Sequence, residues 1–287
     1  MTLPNYESVT AHDNTSIRTA RFDPIDKPCG VIQIIHGFGE GIFHYREVAD
    51  FFTQNGYACI IHDQRGFGEM PDKSPKQRTK ARGVVPSYEC LLRDVETIRE
   101  KIDEWYPDVP VILLGHSMGG NLAMNLLLKS KGRQYKKAIF EAPWLRLYKP
   151  LPNSLAILAR LLGKISGKLR VASKLDAADI APNQAETKSL KTDGVYHDRV
   201  SLRLYTGVSD AGEYAIKHAA DIQIPALLLS AGQDKIVCSE AIREFAKNAG
   251  ENVKLIEYPK GYHCLHADPI NAQSLDDMLE FCKAGSV

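Results

Sequence analysis

Apolar residues recur along this chain in two alternating rhythms. Short runs rich in β-branched residues, Val31-Ile32-Gln33-Ile34-Ile35, Tyr57 to His62, Val111-Ile112-Leu113-Leu114 and Lys137 to Glu141, read as strands buried on both faces. Between them lie stretches of helical periodicity. His44 to Asn55 closes at Gly56, where a left-handed cap is wanted. Ser87 to Trp105 carries Leu91, Val95, Ile98 and Ile102 on one stripe. Another helix is expected after Ser117. Strand, helix, strand, helix predicts an α/β fold with a mostly parallel central sheet flanked by helices on both faces. Upstream, Ser8 to Arg21 alternates weakly about the turn-prone pair Asp13-Asn14 and reads as a hairpin.

The rhythm stops at Pro143. From Trp144 to about Ala220 no clear apolar strand appears; Leu155, Leu158, Leu162 and Ile165 lie at helical spacing instead, with Leu151, Ile157 and Leu161 widening the apolar surface. Strands resume at Pro225 to Ser230 and at Val253 to Tyr258, and a last helix starts at about Asn271. The expected organisation is a core over residues 1–143, a helical cap insertion over 144–220 and a second core part over 221–287. No internal repeat or low-complexity tract interrupts it.

Charge narrows the picture by exclusion. Among 287 residues, 36 Lys and Arg stand against 35 Asp and Glu, a formal net charge of +1. Binding of nucleic acid through bulk positive charge is therefore not expected, nor is an acidic solvating tail. No apolar run is long enough to span a bilayer, and the first residues lack the basic and greasy regions of a secretory signal. Six cysteines, none at CxxC spacing, read as free thiols in a reducing compartment, so the expected localisation is cytoplasmic.

The sharpest chemical motif is Gly115-His116-Ser117-Met118-Gly119, a G-x-S-x-G placed directly between an apolar strand and a helical run. Only a turn lacking side chains is tight enough to push a serine hydroxyl out above a sheet at a helix N-terminus. A hydroxyl is a weak nucleophile until a base takes its proton. The partners of such an elbow are expected later in the chain, acid before histidine, each in a loop after a strand. Asp234 in Ala231-Gly232-Gln233-Asp234 fits the acid, and His263 in Gly261-Tyr262-His263 fits the base; His266 is the rival. The oxyanion of acyl transfer needs preorganised donors. The backbone N–H of Met118 is one candidate, and that of Phe38, within His36-Gly37-Phe38-Gly39, is the second.

The remaining histidines carry blander expectations. His36 and His62 end strands and read as structural, while His116 packs beside the nucleophile. His12, His44, His197 and His218 have no partner at metal-ligand spacing, and there is no HExxH, so neither metal nor other cofactor is expected. Cys264 follows the proposed base directly, where a thiol reagent would crowd the site.

His36-Gly37-Phe38-Gly39-Glu40, His62 to Gly68, Gly115 to Gly120 and Tyr262 to His266 together resemble the α/β-hydrolase family of monoacylglycerol lipases and lysophospholipases, often labelled serine aminopeptidase-like. The resemblance runs over nearly the whole chain and is loosest between Trp144 and Ala220. It implies an α/β-hydrolase fold with Ser117, Asp234 and His263 as nucleophile, acid and base. It also implies Phe38 and Met118 at the oxyanion positions and a helical cap over an acyl channel. Gly41, Met70 and Asp193-Gly194 depart from the family pattern of loop and cap residues. The expected substrate is a small acyl ester of a monoacylglycerol, lysophospholipid or similar single chain, with at most peripheral lipid contact through the cap. Two alternatives stay open: a peptidase or acyltransferase using the same triad, and a non-catalytic ligand-binding protein on a hydrolase scaffold. A dehalogenase or epoxide hydrolase needs a carboxylate where Ser117 stands and is excluded.

Overall fold

The computed structural model describes residues 3–130, 135–173 and 195–284. Eight strands form one sheet: β1 (Asn5–Thr10), β2 (Ser16–Phe22), β3 (Gly30–Ile35), β4 (Tyr57–His62), β5 (Val111–His116), β6 (Lys137–Glu141), β9 (Ala226–Ala231) and β10 (Val253–Tyr258). Their spatial order is β1-β2-β4-β3-β5-β6-β9-β10. The β1–β2 hairpin is antiparallel and β2 meets β4 antiparallel; every later pairing is parallel. Asn14 turns the hairpin with φ +63°, a conformation asparagine tolerates.

The central strands are buried from end to end because both faces are covered. Strand alternation divides them between two cores. Val31, Ile35, Ala58, Ile60 and Leu113 face one side, where helices α3 (Tyr88–Trp105) and α4 (Met118–Ser130) pack. Ile32, Ile34, Cys59, Ile61 and Leu114 face the other, against α1 (Arg46–Gln54) and the last helix, α8 (Asn271–Lys283). Gln33 interrupts this apolar set but is fully satisfied. Its amide donates to the Val95 carbonyl at 2.9 Å and accepts from the Tyr135 hydroxyl at 2.9 Å. The predicted α3 stripe of Leu91, Val95, Ile98 and Ile102 is buried, and the Ser87 hydroxyl caps its first turn by accepting from Cys90 N–H. Gly56 takes φ +86° just past α1. A short helix, α2 (Pro75–Ala81), lies between β4 and α3.

Between β6 and β9 the chain forms α5 (Asn153–Ile165), an antiparallel pair β7 (Arg170–Ala172) and β8 (Arg199–Ser201), and α6 (Leu202–Lys217). The short strands were not legible as an apolar run, since only three residues pair on each side. Helix α6 docks on α4: Asn121 donates to the Val208 carbonyl at 3.1 Å and Asn125 to the Ala211 carbonyl at 3.1 Å. Helix α5 meets α6 on its small-residue side, Ala159 and Gly163, where a side chain at Gly163 would press on the Arg203 backbone. The leucine-rich face therefore points elsewhere: Leu155, Ile157, Leu158, Leu161 and Ile165 are exposed among the described residues. Asp193-Gly194 lies outside those residues. Helix α7 (Ser239–Ala249) fills the space between β9 and β10, and no described helix is long and apolar enough to cross a membrane.

Candidate active site

Parallel strands end together, so the loops after β3, β5, β6, β9 and β10 meet on one rim of the sheet. The turn after β5 is the tightest of them. Ser117 sits at φ +53°, a left-handed conformation that non-glycine residues rarely adopt. Its neighbours explain why the strain is held. A Cβ at Gly115 would collide with the Gly119 carbonyl, and one at Gly119 with the Ile35 carbonyl, so α4 begins almost touching β3. The turn is further pinned by the Ser117 N–H donating to the Glu141 carbonyl at 2.9 Å and by Trp144 N–H donating to the Ser117 carbonyl at 2.9 Å.

Asp234 and His263 converge on that serine from 117 and 146 residues downstream. Ser117 Oγ lies 2.9 Å from His263 Nε2, and His263 Nδ1 lies 2.7 Å from Asp234 Oδ2. The second Asp234 oxygen accepts from the backbone N–H groups of Ile236, at 2.7 Å, and Val237, at 2.9 Å. With one oxygen fixed by the turn, the other is aimed at the imidazole. All three side chains are buried. The rival His266 is not at the serine. Its Nδ1 and backbone N–H lie 2.9 Å from the Glu141 carboxylate, and its ring stacks on Tyr45.

Phe38 follows β3 between Gly37 and Gly39 and shares the walls of the serine's cavity. Met118 opens α4, where the first backbone N–H groups lack helical partners. The cavity measures about 150 Å³ and is mainly apolar; Trp144, Leu147, Val171, Val200, Tyr205 and Ile236 contribute to its wall. Of the leucine-rich stretch from Leu151 to Ile165, only Leu151, just before α5, reaches the cavity; no residue of α5 does. The wall comes instead from β7, β8 and the start of α6. Sequence reasoning missed these residues because three-residue strands leave no periodic signal.

Beneath the site lies a polar layer that sequence reading did not assemble. Glu40 accepts from the Gly37 N–H at 2.7 Å and from the Tyr45 hydroxyl at 2.8 Å, and its other oxygen lies 3.5 Å from His116 Nδ1. Burial would raise the Glu40 carboxyl, but the adjacent His116 ring outweighs it and holds the pKa well below the ordinary range. For His116 the balance runs the other way: burial alone would lower it, and the Glu40 and Glu141 carboxylates raise it. Glu141 is likewise held low, since His266 and His116 outweigh its burial. Metal-ligand spacing in sequence gave no hint of this cluster, because its members come from the loop after β3, the ends of β5 and β6, and the loop after β10. His197, read as isolated, stacks on Phe67 and lies 3.0 Å from the Gly66 carbonyl through Nε2. His36 and His62, read as structural, are buried at their strand ends. The departure at Gly41 is steric: a Cβ there would strike Gly68 and the Asp63 carboxylate.

Fold and site together define the class, an α/β-hydrolase with a serine at the elbow after its central strand. The family described as "Serine aminopeptidase, S33" matches residues 26–270, and the chain belongs to it. It is 30% identical over 250 residues to a putative monoglyceride lipase of Schizosaccharomyces pombe, covering 86% of this chain and 65% of that protein. To an uncharacterized abhydrolase domain-containing protein of Dictyostelium discoideum it is 28% identical, covering 94% of this chain and 28% of that one. The chain thus spans under two thirds of the length of both. The crystal structure of Paleococcus ferrophilus monoacylglycerol lipase superposes with a TM-score of 0.81 at 26% identity, covering 93% of this chain and 98% of that one.

Proposed function

We propose that this chain is a serine hydrolase that cleaves carboxylic esters of single acyl chains, monoacylglycerols foremost, through an acyl-enzyme on Ser117. The observation that carries the reading is the hydrogen-bonded line Asp234–His263–Ser117 opening onto an apolar cavity. His263 takes the Ser117 proton through Nε2 as the oxygen attacks the ester carbonyl. The Phe38 and Met118 N–H groups hold the resulting oxyanion. His263 then gives the proton to the departing alcohol, and a water activated by the same ring releases the fatty acid. Asp234 fixes the ring and supports its transient positive charge.

In this reading residues 144–220 form the cap over the acyl-binding cavity. The exposed apolar residues of α5 support peripheral contact with the lipid phase in which such substrates dissolve. The free cysteines support a reducing compartment such as the cytoplasm. A second head-group class, lysophospholipids, is favoured by Lys149, an exposed cation on the cavity wall.

The test is an acyl-chain-length series on simple esters, then monoacylglycerol and lysophospholipid of the best length, with aminoacyl arylamides alongside. Turnover of monoacylglycerol that disappears in Ser117→Ala, together with fluorophosphonate labelling of Ser117 in the native chain, is the expected result. Faster cleavage of arylamides than of esters would make the chain a peptidase. No labelling and no turnover would make it a binding protein.

A further inference from the structure

Cys264 lies next to the base in sequence but faces away from Ser117, into the polar layer beneath it. Its Sγ is 3.8 Å from His116 Nε2 and 4.0 Å from Glu40 Oε1, and Glu40 Oε1 is 3.5 Å from His116 Nδ1. One donor atom from each of the three side chains lies within 4.8 Å of the other two, and all three residues are buried. The two contacts of Sγ are long, weak hydrogen bonds of sulfur, and the Glu40–His116 contact is an ion pair. With bonds of about 2.0–2.3 Å, neighbouring ligands of a tetrahedral zinc stand about 3.3–3.8 Å apart, against a spread of up to 4.8 Å among these three donors. One ion takes a single ring nitrogen, Nδ1, since Nε2 faces the His263 carbonyl, so closing the site needs the Cys264 side chain to turn toward Nδ1. His116 Nδ1, fully enclosed, faces Glu40 Oε1 at 3.5 Å and makes no shorter polar contact among the described residues.

We propose that Glu40, His116 and Cys264 form an inhibitory site for a thiophilic divalent cation, with Zn²⁺ as the type. Thiolate, imidazole and carboxylate are the borderline-soft set that zinc prefers and magnesium does not. A carboxylate and a thiolate together neutralise the dication, so the filled site adds no net charge to the interior. On binding, the Cys264 thiol and the Nδ1–H of the protonated His116 ring each lose a proton to solvent; the thiolate forms the S–Zn bond, and Nδ1 and the carboxylate each contribute a lone pair. No oxidation state changes. Glu40 and His116 also line the cavity that holds Ser117, which provides a route in for the ion and a water for its fourth position. Glu40 is already oriented by Gly37 and Tyr45 through its other oxygen. The consequence for catalysis follows from connectivity. His116 Nε2 lies 3.3 Å from the His263 carbonyl oxygen, and Cys264 is bonded directly to His263. An ion drawing the two side chains together pulls the base off its 2.9 Å line to Ser117.

The experiment uses the whole chain with Cys29→Ser, Cys90→Ser and Cys238→Ser, which removes the thiols that are not buried. Titration with ZnCl₂ against a chromogenic zinc indicator is expected to show one equivalent bound. MgCl₂ should not compete, and simple-ester hydrolysis should fall in parallel and return with EDTA. Adding Cys264→Ser should weaken binding at least tenfold. Unchanged affinity in Cys264→Ser, or no stoichiometric binding before that change, overturns the proposal. Should Cys264→Ser not fold, Co²⁺ replaces Zn²⁺ in the chain that retains Cys264. A thiolate-to-cobalt charge-transfer band supports the site, and its absence overturns it. Zinc binding is read without substrate, so its failure leaves the ester-hydrolase reading standing, while binding that leaves hydrolysis unchanged overturns the inhibitory role.

Discussion

Glu141 joins the two halves of the reacting pair. Its backbone carbonyl holds the Ser117 N–H, and its buried carboxylate holds His266, three residues beyond His263. It does not line the cavity and acts through Ser117 N–H and His266, so it is a positioning residue. Glu141→Leu should cost about 3–5 kcal/mol of stability by removing the buried carboxylate that faces His266. Glu141→Gln keeps an acceptor for the His266 N–H and is expected to retain the fold with lower kcat and little change in KM. Urea unfolding and steady-state kinetics on both variants check this; equal kcat in Glu141→Gln and the native chain would deny the positioning role. Asp234→Asn leaves the geometry but misorients the ring. By analogy with serine proteases it should lower kcat by about 10⁴-fold, read with a p-nitrophenyl ester. Asp234 and His263 were legible in sequence because elbow, acid and base each follow a strand. Glu40 and Glu141 were not, since nothing local marks a carboxylate as buried.

At the scale of elements, the start of α4 lies almost in backbone contact with the end of β3. Gly119→Ala would put a methyl group into the Ile35 carbonyl, with no side chain available to yield. Moving α4 off the sheet also moves Ser117, so both Tm and kcat should fall. A native-like Tm in Gly119→Ala would refute this account of the motif's last glycine. Helix α4 is also tied to the stretch after β6 through Asn121, whose amide donates to the Trp144 carbonyl at 2.8 Å and to Val208 at 3.1 Å. Asn121→Leu leaves both carbonyls buried without that donor and should destabilise by about 1–3 kcal/mol for each. Chemical denaturation measures the loss. Here helical periodicity predicted that α5 exists but not which side it presents. Its contact with α6 runs through Ala159 and Gly163, so close packing of small residues chose the face and left the leucines outside.

For the whole molecule, acid is the expected weakness. Burial lowers the His62 pKa from 6.5 to about 3 and that of His197 to about 4; His36 is lowered by the same cause. The unfolded chain takes up these protons near pH 6.5 and the folded chain does not. Their contribution is therefore complete above pH 6.5 and declines below it, by about 1.4 kcal/mol per pH unit for each histidine until its folded pKa is reached. Glu40 and Glu141, held low in the fold, add losses below their ordinary value of 4.5. His116 has the opposite sign, its raised pKa contributing below 6.5 and fading as pH rises. The histidines buried neutral outnumber it. Urea midpoints should fall from pH 7.5 to pH 5, and the slope should be shallower in His62→Leu; parallel slopes would remove His62 from the account.

The chain by itself determined the alternation of strands and helices, the elbow and the order of serine, acid and histidine. Those features depend on local periodicity and on turns that only glycine permits, and both are written in consecutive residues. Tertiary structure alone decided that Leu151 meets the cavity while the rest of the leucine face does not. It also decided that His266 turns to Glu141 rather than Ser117, and that Glu40, His116 and Cys264 share one buried layer. Each depends on which loops the parallel strands deliver to a common rim. Distances between residues separated by up to 224 positions leave no trace in local sequence.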